Sequence, residues 1–394
     1  MPRSNTPLLY GSVTKTFHWL TALLILTAIP LGLIANRLPH ETAAELALKA
    51  QLFSLHKTVG IAAFAVALLR ILWALTQRKP APLHPERRGE TLLAEVVHWS
   101  LYGAMVVVPL SGWLHHAATS GFAPILWPFG QSLPLVAQSE SLAAFFAAVH
   151  FVFTKVLILS ILLHIAGAIK HALIDRDATL ARMLPGTPAL QRDATPHNHT
   201  RPAMIAGAIY AAGFALSVAL APPTPGQASG PALTESGGEW QVQAGSLSIR
   251  VQQFGSEVEG QFSRWSADIA FDENAPSPHG AVDVEIDINS LTLGSVTEQA
   301  MGPAYFDAET FPTATFRGDI LSTDGAYRAE GTLTLKGAEV PVTLPFTLTL
   351  EGDRAEMRGQ TTVDRLNFGI GADQTDEATL GFAVVIDVAL TASR

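Results

Sequence analysis

Four histidines fall inside apolar stretches of this chain: His18, His56, His150 and His164. An ionisable side chain at membrane depth is costly and marks a functional site by default. His150 and His164 lie 14 residues apart in one apolar run. On a helix that is nearly four turns, so both imidazoles face the same side, about 21 Å apart along the axis. His18 opens the first apolar run and His56 opens the second. The first and fourth runs are antiparallel when threaded through a membrane, which puts His18 at the depth of His164. By the same count His56 shares the depth of His150. Two stacked haems need two such pairs, each iron taking one imidazole from each of two helices. The spacing therefore predicts iron ligation by His18 with His164 and by His56 with His150.

Other polar residues in these runs have weaker patterns. Arg70 follows His56 by 14 residues and lies on the same helix face, toward the inner side. Its guanidinium suits a haem propionate, or it snorkels to the inner headgroups. Lys57 is placed to serve the outer haem in the same way. His98, His115 and His116 in the third run either line a quinone or proton site or sit in the interface. His40, His84, His171, His197 and His199 read as interfacial polar residues. The chain has no cysteine, which excludes disulfides, haem attached through Cys-x-x-Cys-His and thiolate-held clusters.

The elements that must position these residues are membrane helices. A helical span needs roughly 20 apolar residues, and five stretches qualify: 17–36, 53–76, 94–117, 143–170 and 203–221. Arg78, Lys79, Arg87 and Arg88 lie between the second and third, and Lys170, Arg176, Arg182, Arg192 and Arg201 at or after the end of the fourth. The loop between the third and fourth has no Lys or Arg. The positive-inside rule then places the N-terminus in the cytoplasm and everything after residue 221 outside. Trp19, Trp73, Trp113 and Trp127 fall near span ends, as interfacial aromatics do. Ala219-Leu220-Ala221 looks like the cleavage site of a secretion signal, but Pro222 follows directly, so an uncleaved anchor is expected. Pro222, Pro223, Pro225, Gly226 and Gly230 make a linker. The division expected is 6–185, 186–236 and 237–394.

The two halves differ in charge. Residues 1–221 hold 16 Lys and Arg against 9 Asp and Glu, and the remainder holds 9 against 25. A basic membrane half with an acidic soluble half leaves no basic face for nucleic acid. Beyond residue 238 the pattern alternates with period two, as in 246–251 and 281–288, then 328–335, 340–350, 355–363 and 381–390. That predicts an antiparallel sandwich or barrel; a closed barrel of about eight strands holds one small ligand. No Ser-His-Asp set or metal cluster appears in this half, whose one histidine is His279.

Residues 6–185 resemble the bacterial cytochrome b561 family. The matching pieces are Phe17-His18-Trp19, Leu55-His56-Lys57-Thr58-Val59-Gly60, Leu68-Leu69-Arg70, the His150 to His164 spacing, and the run from Asp177 to Pro185. The resemblance implies a four-helix bundle, two haem b groups and electron exchange with an isoprenoid quinone. Its members include quinol-linked carriers and superoxide-to-quinone oxidoreductases. Residues 238–394 resemble the YceI family of lipocalin-like proteins. The resemblance rests on Phe254-Gly255, Val258 to Phe262, Ile288 to Leu291, Phe306-Asp307, Phe311 to Phe316, Gly331 to Gly337 and Asp364 to Gly371. It implies a β-barrel with an apolar pocket for a polyisoprenoid or quinone lipid. Phe254, Phe262, Trp265, Phe306, Phe311, Phe316 and Phe346 are candidates to line it or to form its core. Glu298-Gln299-Ala300-Met301 departs from the family pattern at the pocket mouth. The expected whole is a four-helix bundle with a fifth anchor helix, then a lipocalin-like barrel. The activity expected is quinone-linked electron transfer with an unknown redox partner. Two alternatives stand: superoxide oxidation, and a membrane-anchored isoprenoid binder with a non-catalytic haem half.

Overall fold

The computed structural model describes residues 2–40, 42–119, 123–130, 132–188, 200–221, 238–323 and 325–394. The proline and glycine linker after Ala221 lies outside them, as do Arg192, His197 and His199. The described residues contain five helices long and apolar enough to cross a membrane. They are α1 (Ser12–Arg37), α2 (Ala43–Leu75), α3 (Arg88–Ala117), α4 (Glu140–Lys170) and α5 (Thr200–Leu220). α2 begins ten residues before the apolar run, and α3 six before. Those extra turns carry Glu45 and Lys49 in α2 and Glu90 in α3. Helical hydrogen bonding continues past the apolar stretch, whereas hydropathy marks only the part suited to hydrocarbon. Ser139 caps α4 by accepting from the Leu142 amide, and its own amide donates to Ala118 O at 2.8 Å.

The bundle core holds Ala104, Val108, Val149, Phe153 and Leu157 from α3 and α4. α5 packs on the same two helices. The Tyr210 ring stacks on Phe153 at 4.9 Å and its hydroxyl donates to Ser100 O at 2.7 Å. A Cβ on Gly103 would come within 2.5 Å of Tyr210, and one on Gly213 within 2.8 Å of Phe153. Small residues let helices approach this closely where lipid supplies no hydrophobic drive. The segment after α4 folds back on the start of α1. Lys15 Nζ donates to Leu184 O and Gly186 O, and Trp19 Nε1 to Met183 O.

The second unit is one antiparallel sheet of ten strands. They are β1 (Gln241–Gln253), β2 (Ser256–Phe262), β3 (Trp265–Phe271), β4 (Gly280–Asp287), β5 (Leu291–Thr292), β6 (Thr313–Thr323), β7 (Ala326–Leu335), β8 (Ala338–Glu351), β9 (Arg354–Asp364) and β10 (Leu380–Ser393). A five-residue helix, α6 (Thr297–Met301), follows β5. The order is β3-β4-β6-β7-β8-β9-β10-β1-β2-β5. The six alternating runs read from the sequence fall in β1, β4, β7, β8, β9 and β10. The curl joins at one rim through a bridge between Trp240 and Ile269. β8 shows the pattern best: Val340, Val342, Leu344, Phe346, Leu348 and Leu350 are buried or half-buried, and each residue between them is exposed. Pro341 and Pro345 interrupt this strand where it pairs with β7 alone, because its ladder to β9 begins at Phe346. A proline, lacking the N–H, belongs on such a free edge.

Candidate functional site

The bundle brings the four histidines together in the two predicted pairs. The ring centres of His18 on α1 and His164 on α4 are 5.9 Å apart. Those of His56 on α2 and His150 on α4 are 6.2 Å apart. Two imidazoles that share a metal, each nitrogen about 2 Å from it, have ring centres roughly 6 Å apart. Both separations fit an iron between the rings.

The His56 and His150 pair, the outer one on the loop-charge reading, has seats built for it. His56 Nδ1 is 2.8 Å from Ala28 O on α1, and His150 Nδ1 is 2.8 Å from Val108 O on α3. A carbonyl only accepts, so each Nδ1 carries the proton and each Nε2 keeps its lone pair for a metal. One turn beyond each carbonyl stands a glycine. A Cβ on Gly32 would lie 2.7 Å from the His56 ring, and one on Gly112 3.0 Å from the His150 ring. Pro30 and Pro109 remove an amide donor from α1 and α3 within a turn of each seat. The same device therefore occurs twice, a helix carbonyl with glycine four residues on.

The inner pair is surrounded by rings and cations. The His18 ring stands 5.2 Å from Trp19, edge-on, and the His164 ring 5.2 Å from His98 of α3. His98 is thus a third imidazole at this depth. Arg70 places its guanidinium 5.3 Å over the Tyr102 ring, with Met105 Sδ 4.0 Å from a terminal nitrogen. Among the described residues no carboxylate pairs with it. At the outer end His115 Nδ1 lies 2.8 Å from Ala143 O, the ring of His116 is 4.6 Å from that of His115, and Lys57 is buried.

Below the inner pair is a polar cluster that sequence reasoning left as separate interfacial residues. The rings of His84 and His171 stack 6.2 Å apart, 4° from parallel. Asp177 Oδ2 lies 3.0 Å from His84 Nε2 and 2.7 Å from His171 Nδ1. Burial pushes the Asp177 carboxyl up, but bonds from the Thr179 hydroxyl and amide and from His171 outweigh it and hold the group at about 2. Glu90, His171 and Asp175 also converge, within 4.8 Å. Lys170 and Arg87 reach both carboxylates of that set, at 2.7 to 3.5 Å, and supply the countercharge a metal ion would otherwise bring.

In the sheet unit, two apolar cavities adjoin across Leu247, Ile286, Leu333 and Ile386 and together make up the lumen of the curled sheet. Phe262, Trp265, Phe306, Phe316 and Phe346 line it as expected. Phe254 and Phe311 do not. Phe254 occupies the two-residue turn between β1 and β2 with φ of 49°, and Phe311 packs on the turn glycine Gly337. Trp240 and Phe271 line the lumen without having been singled out.

Residues 9–186 match the prokaryotic cytochrome b561 family, and residues 240–392 match the YceI-like domain. The chain is 31% identical over 189 residues to cytochrome b561 homolog 2 of Escherichia coli K12, covering 47% of this chain and 95% of that one. The chain belongs to the cytochrome b561 family. It is a membrane haem electron-transfer protein of that family, with b-type haem as its cofactor, joined to a YceI-like lipocalin fold. A probable superoxide oxidase, CybB, of Yersinia pestis is 27% identical over 180 residues, 45% of this chain and 96% of that one. The crystal structure of Burkholderia cenocepacia BcnA aligns with a TM-score of 0.36 and 30% identity, over 38% of this chain and 96% of its own.

Proposed function

We propose that this protein carries electrons between an isoprenoid quinone or quinol and a second redox partner, using two haem b groups. His18 with His164 and His56 with His150 hold one group each. The observation that carries this reading is the pair of ring separations, 5.9 and 6.2 Å, at two depths of one helix. Bound haem supplies one-electron chemistry, and the chain tunes and shields it. Ala28 O and Val108 O fix the tautomer of the outer imidazoles and raise their basicity. The apolar faces of α1 to α4 exclude water. Arg70, with no carboxylate paired to it among the described residues, offers a cation for a propionate at the inner end. His84, His171 and Asp177 form a relay able to hold a proton where a quinone would take up or release one.

The reading divides the chain into 6–185 for the haem bundle, 186–236 for the inner loop, fifth helix and linker, and 237–394 for the barrel. It keeps the N-terminus cytoplasmic and the barrel periplasmic, on the strength of the loop charges. The barrel lumen binds a polyisoprenoid or quinone lipid, a reading supported by its apolar lining. Reduced-minus-oxidised spectra of the purified full-length protein, with haem stoichiometry, test the proposal. Two b-type haems reduced by a quinol analogue are expected; one haem, or none, would refute it. A second reading, superoxide oxidation coupled to quinone reduction, is favoured by likeness to the Yersinia pestis protein. Quinone reduction driven by a superoxide source and abolished by His56→Ala would establish it.

A further inference from the structure

The lumen is apolar over nearly all its surface, and most of the polar side chains that border it belong to one of its two cavities. That cavity is lined by Gln253, Gln299, Tyr305 and Arg365 among apolar side chains. Gln253 is 7% exposed, and its Oε1 is buried without a hydrogen-bond partner. It holds an inward position of β1, in step with Leu247, Ile249 and Val251, which all line the same cavity. A buried amide oxygen left unpaired is costly and is normally satisfied by protein, water or ligand. Tyr305 accepts from Gln299 Nε2 at 3.2 Å, which leaves its own O–H to donate. Burial raises the Tyr305 phenol, so it keeps that proton at neutral pH.

Arg365 is the cation lining this cavity, yet its donors are not available. A guanidinium has five N–H groups. Here Nε donates to Gly381 O, one terminal nitrogen to Ile370 O and Gly371 O, and the other to Gln374 O and Leu380 O. All five are spent on backbone carbonyls. A phosphate or diphosphate brought here would feel the charge of Arg365 but find none of its N–H groups free, so its oxygens would lose water without gaining donors from that side chain. A neutral head bearing a carbonyl or hydroxyl would meet an amide and a phenol, each able to donate and to accept.

We propose that the Gln253 and Tyr305 cavity of the lumen is a head-group site selecting isoprenoids with a neutral oxygen-bearing head over prenyl phosphates. The inference rests on the reading of the barrel as an isoprenoid binder, and the test separates the two. Equilibrium dialysis of labelled farnesol and farnesyl phosphate against the purified full-length protein gives the ratio of affinities. A site built to hydrogen-bond a head group discriminates by about tenfold or more. The wild type should therefore favour farnesol by that margin, and Gln253→Leu and Tyr305→Phe should each shrink the preference to within about threefold by weakening farnesol alone. Ala267 is 3% exposed and lines the apolar part. Ala267→Trp narrows that part of the lumen and should weaken both ligands alike. Equal or tighter binding of farnesyl phosphate, or a ratio unmoved by both variants, overturns the head-group site while Ala267→Trp still defines lumen binding. Binding insensitive to Ala267→Trp overturns the barrel reading and this inference together. Haem absorbance and circular dichroism confirm folding; if Gln253→Leu fails that control, Tyr305→Phe, which removes one oxygen only, decides the result.

Discussion

The outer and inner histidine pairs use the same residue type at nearly the same ring separation, but they are held differently. His56 and His150 rest on backbone: a carbonyl fixes each Nδ1, and a glycine leaves room for each ring. Near His18 and His164 stand side chains: Trp19, His98 and Arg70. Backbone seats are rigid and insensitive to point substitution except through lost space. Side-chain seats can be tuned one residue at a time. The outer site is thus organised for fixed geometry and the inner site for adjustable electrostatics.

The largest expected effect comes from removing a ligand. His56→Ala or His150→Ala should lower haem content from two per chain to about one, leaving the spectrum of the inner site, and His18→Ala or His164→Ala should do the converse. Pyridine haemochrome stoichiometry reads this directly, and loss of both haems from an outer variant would break the independence of the two sites. Next is the space test. Gly32→Ala brings a carbon within 2.7 Å of the His56 ring, against 3.0 Å at His150 for Gly112→Ala. Gly32→Ala should disturb the outer low-spin signal in electron paramagnetic resonance more than Gly112→Ala, and neither should alter the inner signal.

A smaller effect is expected at Arg70. Arg70→Gln removes a cation near the inner pair and should lower the inner midpoint potential alone, by on the order of 1 kcal/mol or some tens of millivolts. A redox titration showing both potentials moved equally would erase the distinction drawn above. The smallest effect concerns Asp177, held at about 2 by Thr179 and His171 despite burial. A depressed carboxyl contributes stability that is complete above its ordinary range near 4 and is lost as pH falls through about 2. Asp177→Asn should lower the melting temperature only slightly, by no more than about 1 kcal/mol of stability, and the difference from wild type should stay flat from pH 8 to pH 5. A difference that changes between pH 8 and pH 5 would break this assignment to the Asp177 carboxyl.

The histidine ligand pattern was legible because a helix converts sequence spacing into depth, and 14 residues separate His150 from His164 as 14 separate His56 from Arg70. The seats were not legible, since Ala28 and Val108 contribute only carbonyls, which every residue has. The meeting of His84 with His171 was hidden for a different reason: they are 87 residues apart, one in a loop and one past the end of α4. In the barrel, the long alternating strands β8 and β9 announced themselves. β2 and β6 were visible only as pieces of a family pattern, because glycine or proline interrupts the alternation at Gly260, Pro312 and Gly318. Gln253 could have been found by parity, as a polar residue at an inward position of β1. Arg365 could not, because its role lies in five carbonyls brought to it by a turn and a neighbouring strand.

α4 carries one imidazole of each pair, so it acts as a ruler between the two centres. About 21 Å of continuous helix fixes their spacing whatever the other helices do. It also means that a tilt of α4 would shift one imidazole of each centre at once, whereas a shift of α1 or α2 would touch one centre alone.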